Sequence, residues 1–149
     1  MLPLLLALAG CRPDLPAGWE DARPVDELIQ TDCGDSGGSS AYDTGIDPYI
    51  EAEGGEDELF VEYHDAHFRC GQDVVAFVRT SGGVDLLVQP EDMDPRSVAA
   101  CDCLYDIYLQ VLDIEPCQRC TLSLYRRSDN LNDDNDPELV DQAEVTIRD

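Results

Sequence analysis

The chain has 149 residues and a formal net charge of -24, with a pI near 4.1. This length allows one small domain with extensions. The strong negative charge argues against nucleic-acid binding, because the protein would repel phosphate groups, and equally against electrostatic attachment to anionic lipid headgroups.

The N-terminus begins MLPLLLALAGC, a short apolar run that ends in Leu8-Ala9-Gly10-Cys11. This ending resembles the lipobox of bacterial lipoproteins, in which the signal peptide is removed before the cysteine and the thiol carries the lipid (palmitate). The resemblance implies that residues 1–10 are a signal peptide and that Cys11 anchors an exported chain to a membrane. The residue after Cys11 is Arg12 and not Asp, which in enterobacterial-type sorting implies the outer membrane. The run is too short to span a bilayer, which takes about 20 apolar residues.

Residues 11–58 are rich in Asp, Glu, Gly, Ser and Pro and poor in apolar residues. Such a segment buries too little apolar surface to offset the entropy of ordering the chain. We therefore expect a largely disordered, self-repelling acidic tether that holds the folded domain away from the membrane, with a helical turn at most over residues 25–30.

The string Gly34-Asp35-Ser36-Gly37-Gly38 within this segment matches the nucleophile region of chymotrypsin-like serine proteases. Those enzymes need two β-barrels and place their catalytic His and Asp before the serine. Here both histidines follow Ser36. We interpret the string as a chance match in a Gly- and Ser-rich linker, without a catalytic role.

Residues 59–149 show the alternation of apolar and polar residues that is typical of strands. About six strands are predicted, separated by turn-forming residues such as Ser81-Gly82-Gly83. The strand segments are 59–64, 73–79, 84–88, 101–112, 120–125 and 143–148. This pattern predicts an all-β domain, a small β-sandwich or barrel stabilised by disulfides, because so short a domain has a small core.

Seven cysteines are present, and lipidation of Cys11 leaves an even number for pairing. The disulfide candidates are Cys33, Cys70, Cys101, Cys103, Cys117 and Cys120. We expect a local Cys117–Cys120 bridge across a turn and not a redox-active C-x-x-C, since no βαβ unit surrounds it. Cys101 and Cys103 point to the same side of one strand, so each should pair with a different segment, through Cys70 and Cys33.

His64, His67 and Cys70 form an H-x2-H-x2-C pattern of residue types that bind zinc, which the C-x-C at 101–103 could complete. In a regular strand, however, positions 64 and 67 face opposite ways, so a shared metal requires the strand to break. The alternative interpretation is two polar histidines beside a disulfide.

Residues 130–141 have the spacing of oxygen donors found in an EF-hand calcium loop. The candidate calcium ligands are Asn130, Asn132, Asp134, Asp136, Glu138 and Asp141. The pattern departs from that loop at Asn135, where Gly is usual, and at Asp141, where Glu is usual, and flanking helices are missing. The alternative is a solvated acidic loop between strands.

The sequence contains no combination of nucleophile, base and orienting group, so we expect a protein that is not an enzyme. The expected function is a structural or binding role at the bacterial cell envelope, with the membrane contacted through the lipid and an envelope protein or glycan as partner. One alternative is a calcium-stabilised extracellular binding module. The other is a metal- or thiol-dependent envelope enzyme.

Overall fold

The structure is a computed structural model that describes residues 14–33, 45–94, 96, 101–129 and 136–149. Within these residues it contains nine strands and no helix. The strands are β1 (Arg23–Pro24), β2 (Glu27–Gln30), β3 (Tyr49–Gly54), β4 (Glu58–Arg69), β5 (Val74–Arg79), β6 (Val84–Pro90), β7 (Asp102–Leu112), β8 (Cys117–Arg126) and β9 (Glu138–Ile147). No helix able to cross a membrane is therefore found in the described part of the chain.

The strands form two sheets, one of five strands in the order β1-β5-β6-β8-β9 and one of four in the order β2-β7-β4-β3. All pairs are antiparallel except β6 with β8. The sheets share one buried core and do not close into a barrel over the described residues. The all-β expectation is thus confirmed, in the form of a sandwich.

The alternation seen in the sequence decides which side chains form this core. On β4, Leu59, Val61 and Tyr63 are fully buried between the sheets, whereas Phe60 and Glu62 between them face outwards. β5 and β6 instead bury residues on both of their faces. A strand that is buried on both faces requires that something cover the outer side of the five-stranded sheet.

The N-terminal segment 14–22 provides this cover. Trp19 is only 3% exposed and packs with Phe77 and Leu87 in a second, smaller apolar cluster. The guanidinium carbon of Arg79 lies 4.0 Å from the centroid of the indole ring, and the ring of Tyr125 meets it edge-on at 5.7 Å.

The expectation of a largely disordered tether over residues 11–58 is therefore wrong for residues 14–33 and 45–58. These residues form β1, β2 and β3, and the segment that was expected to make a helical turn at most is strand β2. The composition of the segment was a poor guide because a short edge strand is held by hydrogen bonds to the neighbouring strand, so a few apolar residues suffice. Cys11, the signal-peptide region and the segment from Gly34 to Gly38 lie outside the described residues.

The six expected cysteines lie in three pairs at disulfide distance. Cys33 pairs with Cys103 and Cys70 with Cys101, each with a Cα–Cα distance of 5.4 Å, and Cys117 pairs with Cys120 at 6.0 Å. The local pair and the separate partners for 101 and 103 agree with the expected scheme. The Cys33–Cys103 pair also fixes the chain after β2 onto the start of β7.

Candidate functional site

The two outer faces of the sandwich differ in how they are covered. Segment 14–22 packs on the five-stranded sheet, but no described segment covers the outer face of the four-stranded sheet, which we call the open face. Seven large hydrophobic side chains are exposed among the described residues, and five of these belong to the open face. The five are Ile29, Tyr49, Phe60, Tyr108 and Leu112.

Strand register arranges the side chains of the open face in cross-strand rows. One row runs from Ile29 to Tyr108, Glu62 and Glu51 across β2, β7, β4 and β3. A parallel row runs through Glu27, Gln110, Phe60 and Glu53. Exposed aromatic rings and carboxylates therefore lie side by side on the open face.

An irregularity in β4 lies at the edge of this surface. The register between β4 and β7 shifts between Tyr63 and Ala66, and Asp65, within this shift, has a left-handed backbone with a φ of 54°.

 A β-bulge changes the direction in which neighbouring side chains point, and bulges are common beside functional sites. Here the bulge begins directly after Tyr63, at His64.

The imidazole of His64 is the centre of the polar cluster on the open face. Its Nδ1 lies 3.3 Å from Oδ1 of Asp106 on β7. Its Nε2 lies 3.3 Å from Oε2 of Glu51 on β3 and 3.2 Å from Oε2 of Glu62 on β4. The side chain of His64 is 16% exposed, because the ring of Tyr49 stacks on it with a centroid distance of 4.8 Å.

Backbone contacts hold Asp106 in place behind the imidazole. The same Oδ1 that lies near His64 also accepts a hydrogen bond from the backbone N–H of Asp65, at 3.3 Å. The N–H of Asp106 donates to Oγ1 of Thr31, at 3.0 Å. The bulge and the end of β2 therefore both fix the position of this carboxylate.

The carboxylates also control the protonation of the cluster. Partial burial by itself lowers the pKa of His64, but the hydrogen bonds and charges of Asp106 and Glu51 together outweigh it and raise the pKa above its ordinary value. Partial burial raises the pKa of Tyr49, and the negative charges of Glu51 and its neighbours raise it further. The cluster thus favours positive charge at its centre.

The partners of the His64 imidazole are all acidic groups. The groups placed within hydrogen-bond distance of the His64 nitrogens are carboxylates, so the imidazole has acidic partners on both sides. A catalytic histidine of the serine- or cysteine-enzyme type instead faces a hydroxyl or thiol. Exposed aromatic rings, which are enriched at protein interfaces, lie beside this cluster.

The H-x2-H-x2-C pattern does not converge on one point. His64 belongs to the carboxylate cluster, while Cys70 pairs with Cys101. Burial lowers the pKa of His67, and the charge of Arg126 lowers it further. The bulge does break the strand between the two histidines, but it directs His64 towards Glu51 and Glu62 and not towards His67.

The expected calcium loop is only partly described, since Asn130, Asn132 and Asp134 lie outside the described residues. β9 begins at Glu138, so the last two candidate ligands belong to a strand. The carboxylate of Asp141 accepts hydrogen bonds from the backbone N–H groups of Ile50 and Gln142, at 3.0 and 2.8 Å. This carboxylate therefore ties β9 to the start of β3, and calcium binding by the loop stays a prediction.

A concave region lies between β4 and the strands β8 and β9. It encloses about 420 Å³, with Tyr63, His67 and Arg126 among its lining residues. The Tyr63 hydroxyl is buried without a hydrogen-bond partner among the described residues, and burial raises its pKa well above the usual range. Arg126 already donates to the carbonyl oxygen of His67 and pairs with Glu138, so its charge is compensated within the protein.

The sequence contained part of the signal for the cluster on the open face. Glu62 and His64 alternate with buried residues on one predicted strand, which places both on its outer side. Composition places Glu51 in the expected tether, and Asp106 is separated from His64 by 42 positions along the chain. Their convergence depends on how β3, β4 and β7 pair, and no local pattern encodes that pairing.

Comparisons with known proteins give no relative from which a role could be transferred. No protein-family model matches the chain, and neither the curated proteins nor the solved structures searched give a significant match. The functional interpretation therefore depends on the chain's own residues.

Proposed function

We propose that this protein is an exported lipoprotein of the bacterial cell envelope that binds a partner protein through the open face and performs no catalysis. The observation that carries the proposal is the concentration of exposed apolar side chains on the one outer sheet face that no described segment covers. Clustered exposed apolar side chains often mark interaction surfaces, whereas single scattered ones are normal on any protein.

The charge of the open face indicates what kind of partner fits it. Glu27, Glu51, Glu53 and Glu62 surround the exposed rings, and the whole chain carries a net charge of -24. A complementary surface would present Arg or Lys side chains, which pair with carboxylates and also stack on aromatic rings. We therefore infer a basic protein surface as the partner, and a neutral glycan is the outcome that would correct this choice.

The lipid anchor is inferred from the sequence motif at Cys11, and the position of Asp14 supports an orientation for the anchored domain. Asp14 is held at the outer side of the five-stranded sheet, because its carbonyl oxygen accepts hydrogen bonds from Gln89 and Arg127, both at 2.8 Å. Three residues of fully extended chain span about 11 Å, so a lipidated Cys11 would lie close to this side. The anchored domain would then turn the five-stranded sheet towards the membrane and the open face away from it.

This short distance changes the expected role of the N-terminal segment. A long tether would let the domain diffuse and rotate above the membrane, whereas a docked segment restricts it to one orientation. The proposal therefore includes a fixed presentation of the open face towards the aqueous side of the envelope.

The anchor is tested by labelling cells with a fatty-acid analogue. Wild-type protein should incorporate the label and remain with membranes, and Cys11→Ser should do neither. Equal labelling of both proteins would show that Cys11 is not the lipid attachment site.

The open face is tested by placing a photo-crosslinking amino acid at Phe60 and, as a control, at Thr121, which is exposed on the five-stranded sheet. Crosslinking in native envelopes should give a discrete protein adduct from position 60 only. The adduct should weaken when Glu62→Lys reverses one charge of the face and when salt is raised. Equal adducts from both positions, or none from position 60, would contradict the proposed surface.

A further inference from the structure

We propose that Glu51, Glu62 and His64 bind one divalent transition-metal ion of the zinc type on the open face, with Asp106 as the residue that orients the imidazole. Within the described residues, two sets of ligand atoms lie within 4.8 Å of one another. One consists of the sulfurs of Cys33, Cys70 and Cys103, which are already placed in pairs at disulfide distance. The other is this His–Glu–Glu set.

The separations of the ligand atoms fit such an ion. Zinc binds imidazole nitrogen and carboxylate oxygen at about 2.0–2.2 Å, so two ligands of a tetrahedral site lie about 3.4 Å apart. Nε2 of His64 lies 3.3 Å from Oε2 of Glu51 and 3.2 Å from Oε2 of Glu62. An ion between these atoms would reach all of them with only small movements of the two exposed glutamate side chains.

The second nitrogen of the imidazole supports the same assignment. Metal-bound histidines usually donate their other ring N–H to a carboxylate or carbonyl oxygen, which fixes the ring orientation and the tautomer. Nδ1 of His64 lies 3.3 Å from Asp106, which the backbone of Asp65 holds in place. This contact directs Nε2 towards Glu51 and Glu62, and the ring of Tyr49 limits rotation of the imidazole.

The charge of the set also favours a bound cation. Glu51 and Glu62 are directly opposite each other in the register of β3 and β4, and like charges in that position destabilise a sheet. Together with Asp106 they place three carboxylates around one imidazole, so the set stays negative even when the ring is protonated. A divalent ion converts this repulsion into attraction, which a single imidazolium does only in part.

The ion would leave one coordination position open towards solvent. The side chains of Glu51 and Glu62 are 68% and 48% exposed, so a water molecule or a donor atom of another molecule can occupy the fourth position. Because this position faces solvent on an exposed sheet face, the proposed ion would serve binding here. This role in recognition rests on the proposed function, whereas metal binding itself does not.

The experiment measures zinc binding to the full chain after treatment with a chelator, by calorimetry, with the cysteine pairs oxidised and free thiols counted. Millimolar calcium in the buffer occupies sites made only of oxygen atoms, because calcium prefers such ligands. One zinc ion per chain is expected for the wild type. His64→Gln should remove this binding, and Asp106→Asn should weaken it about 10- to 100-fold.

Glu53→Gln is the matched control, because Glu53 lies on the same face of β3 as Glu51 but does not belong to the proposed ligand set. It should bind zinc as the wild type does. Glu62→Gln, which keeps the size of the side chain, provides a second test if His64→Gln fails to fold by circular dichroism. Equal zinc binding by His64→Gln or Glu62→Gln and by the control, or no binding by the wild type, would overturn the proposal.

This outcome is separate from the crosslinking test of the open face. Zinc titration uses the isolated protein, and crosslinking at position 60 does not require the ion. If the wild type binds no zinc but still gives the adduct, only the metal site is overturned. If the wild type binds zinc but gives no adduct, only the proposed partner is overturned.

Discussion

Replacing Trp19 with Ala should strongly destabilise the protein, although the residue lies in a segment with the composition of a disordered linker. Its side chain is 3% exposed, packs with Phe77 and Leu87, and lies beneath the guanidinium of Arg79. Removing a large buried aromatic side chain costs about 3–5 kcal/mol. Loss of a cation–π contact of this kind contributes about 0.5–2 kcal/mol of such a total.

This loss is large compared with the stability of a domain, which is typically about 5–15 kcal/mol. With a slope of about 2 kcal/mol per molar urea, Trp19→Ala should lower the unfolding midpoint by about 2 M. Far-UV circular dichroism is the appropriate measurement, because Trp19 is the only tryptophan and its replacement removes the fluorescence signal. Trp19→Phe should be less destabilising, since it keeps a ring beside Phe77 and Leu87.

Ile29→Ala is the matched control, because Ile29 is 54% exposed on the open face. Its effect should stay within about 0.5 kcal/mol. The wild-type protein gives an independent check, since a buried indole emits at shorter wavelength than an exposed one and is protected from acrylamide. Emission typical of an exposed indole, with an unchanged midpoint for Trp19→Ala, would refute the docking of segment 14–22 onto the five-stranded sheet.

Three further predictions concern the cysteine pairs, the close contact between strands, and pH. Replacing both cysteines of the Cys33–Cys103 pair, which closes a loop of 70 residues, should lower the free energy of unfolding by about 4 kcal/mol. Removing the Cys117–Cys120 pair, with a separation of 3, should lower it by about 2 kcal/mol. Urea unfolding without reductant measures both losses. Gly54→Ala should lower the melting temperature, because the added Cβ would lie 1.9 Å from the carbonyl oxygen of Thr146, and an unchanged temperature would contradict the close approach of β3 and β9. Because the pKa of His64 is raised in the folded state, its contribution to stability should be complete below its unfolded pKa and disappear as pH rises through the folded pKa. The difference in unfolding free energy between wild type and His64→Gln, measured with chelator present, should therefore be largest at acidic pH, and a difference that grows towards alkaline pH would show the opposite sign.

The docking of segment 14–22 shows where prediction from composition fails. Its acidic residues are exposed, while Trp19 is buried and Leu15 and Ala22 pack in the same apolar cluster. Charge and apolar content are averages over a segment, whereas docking depends on which few side chains are buried. The sequence did not predict β1 and β2 for a related reason. Each strand is short, and β1 depends on hydrogen bonds to β5 and β2 on hydrogen bonds to β7.

By itself, the sequence determined the all-β class, the side of each long strand that faces the core, and the local Cys117–Cys120 pair. These features depend on the two-residue period of a strand and on short separations along the chain. The tertiary structure alone decided which of Cys101 and Cys103 joins which partner, and it alone brought Glu51 and Asp106 to His64 across separations of 13 and 42 positions. Such contacts follow from the order and register of the strands, which the balance of all the packing interactions selects, and so no single stretch of sequence contains them.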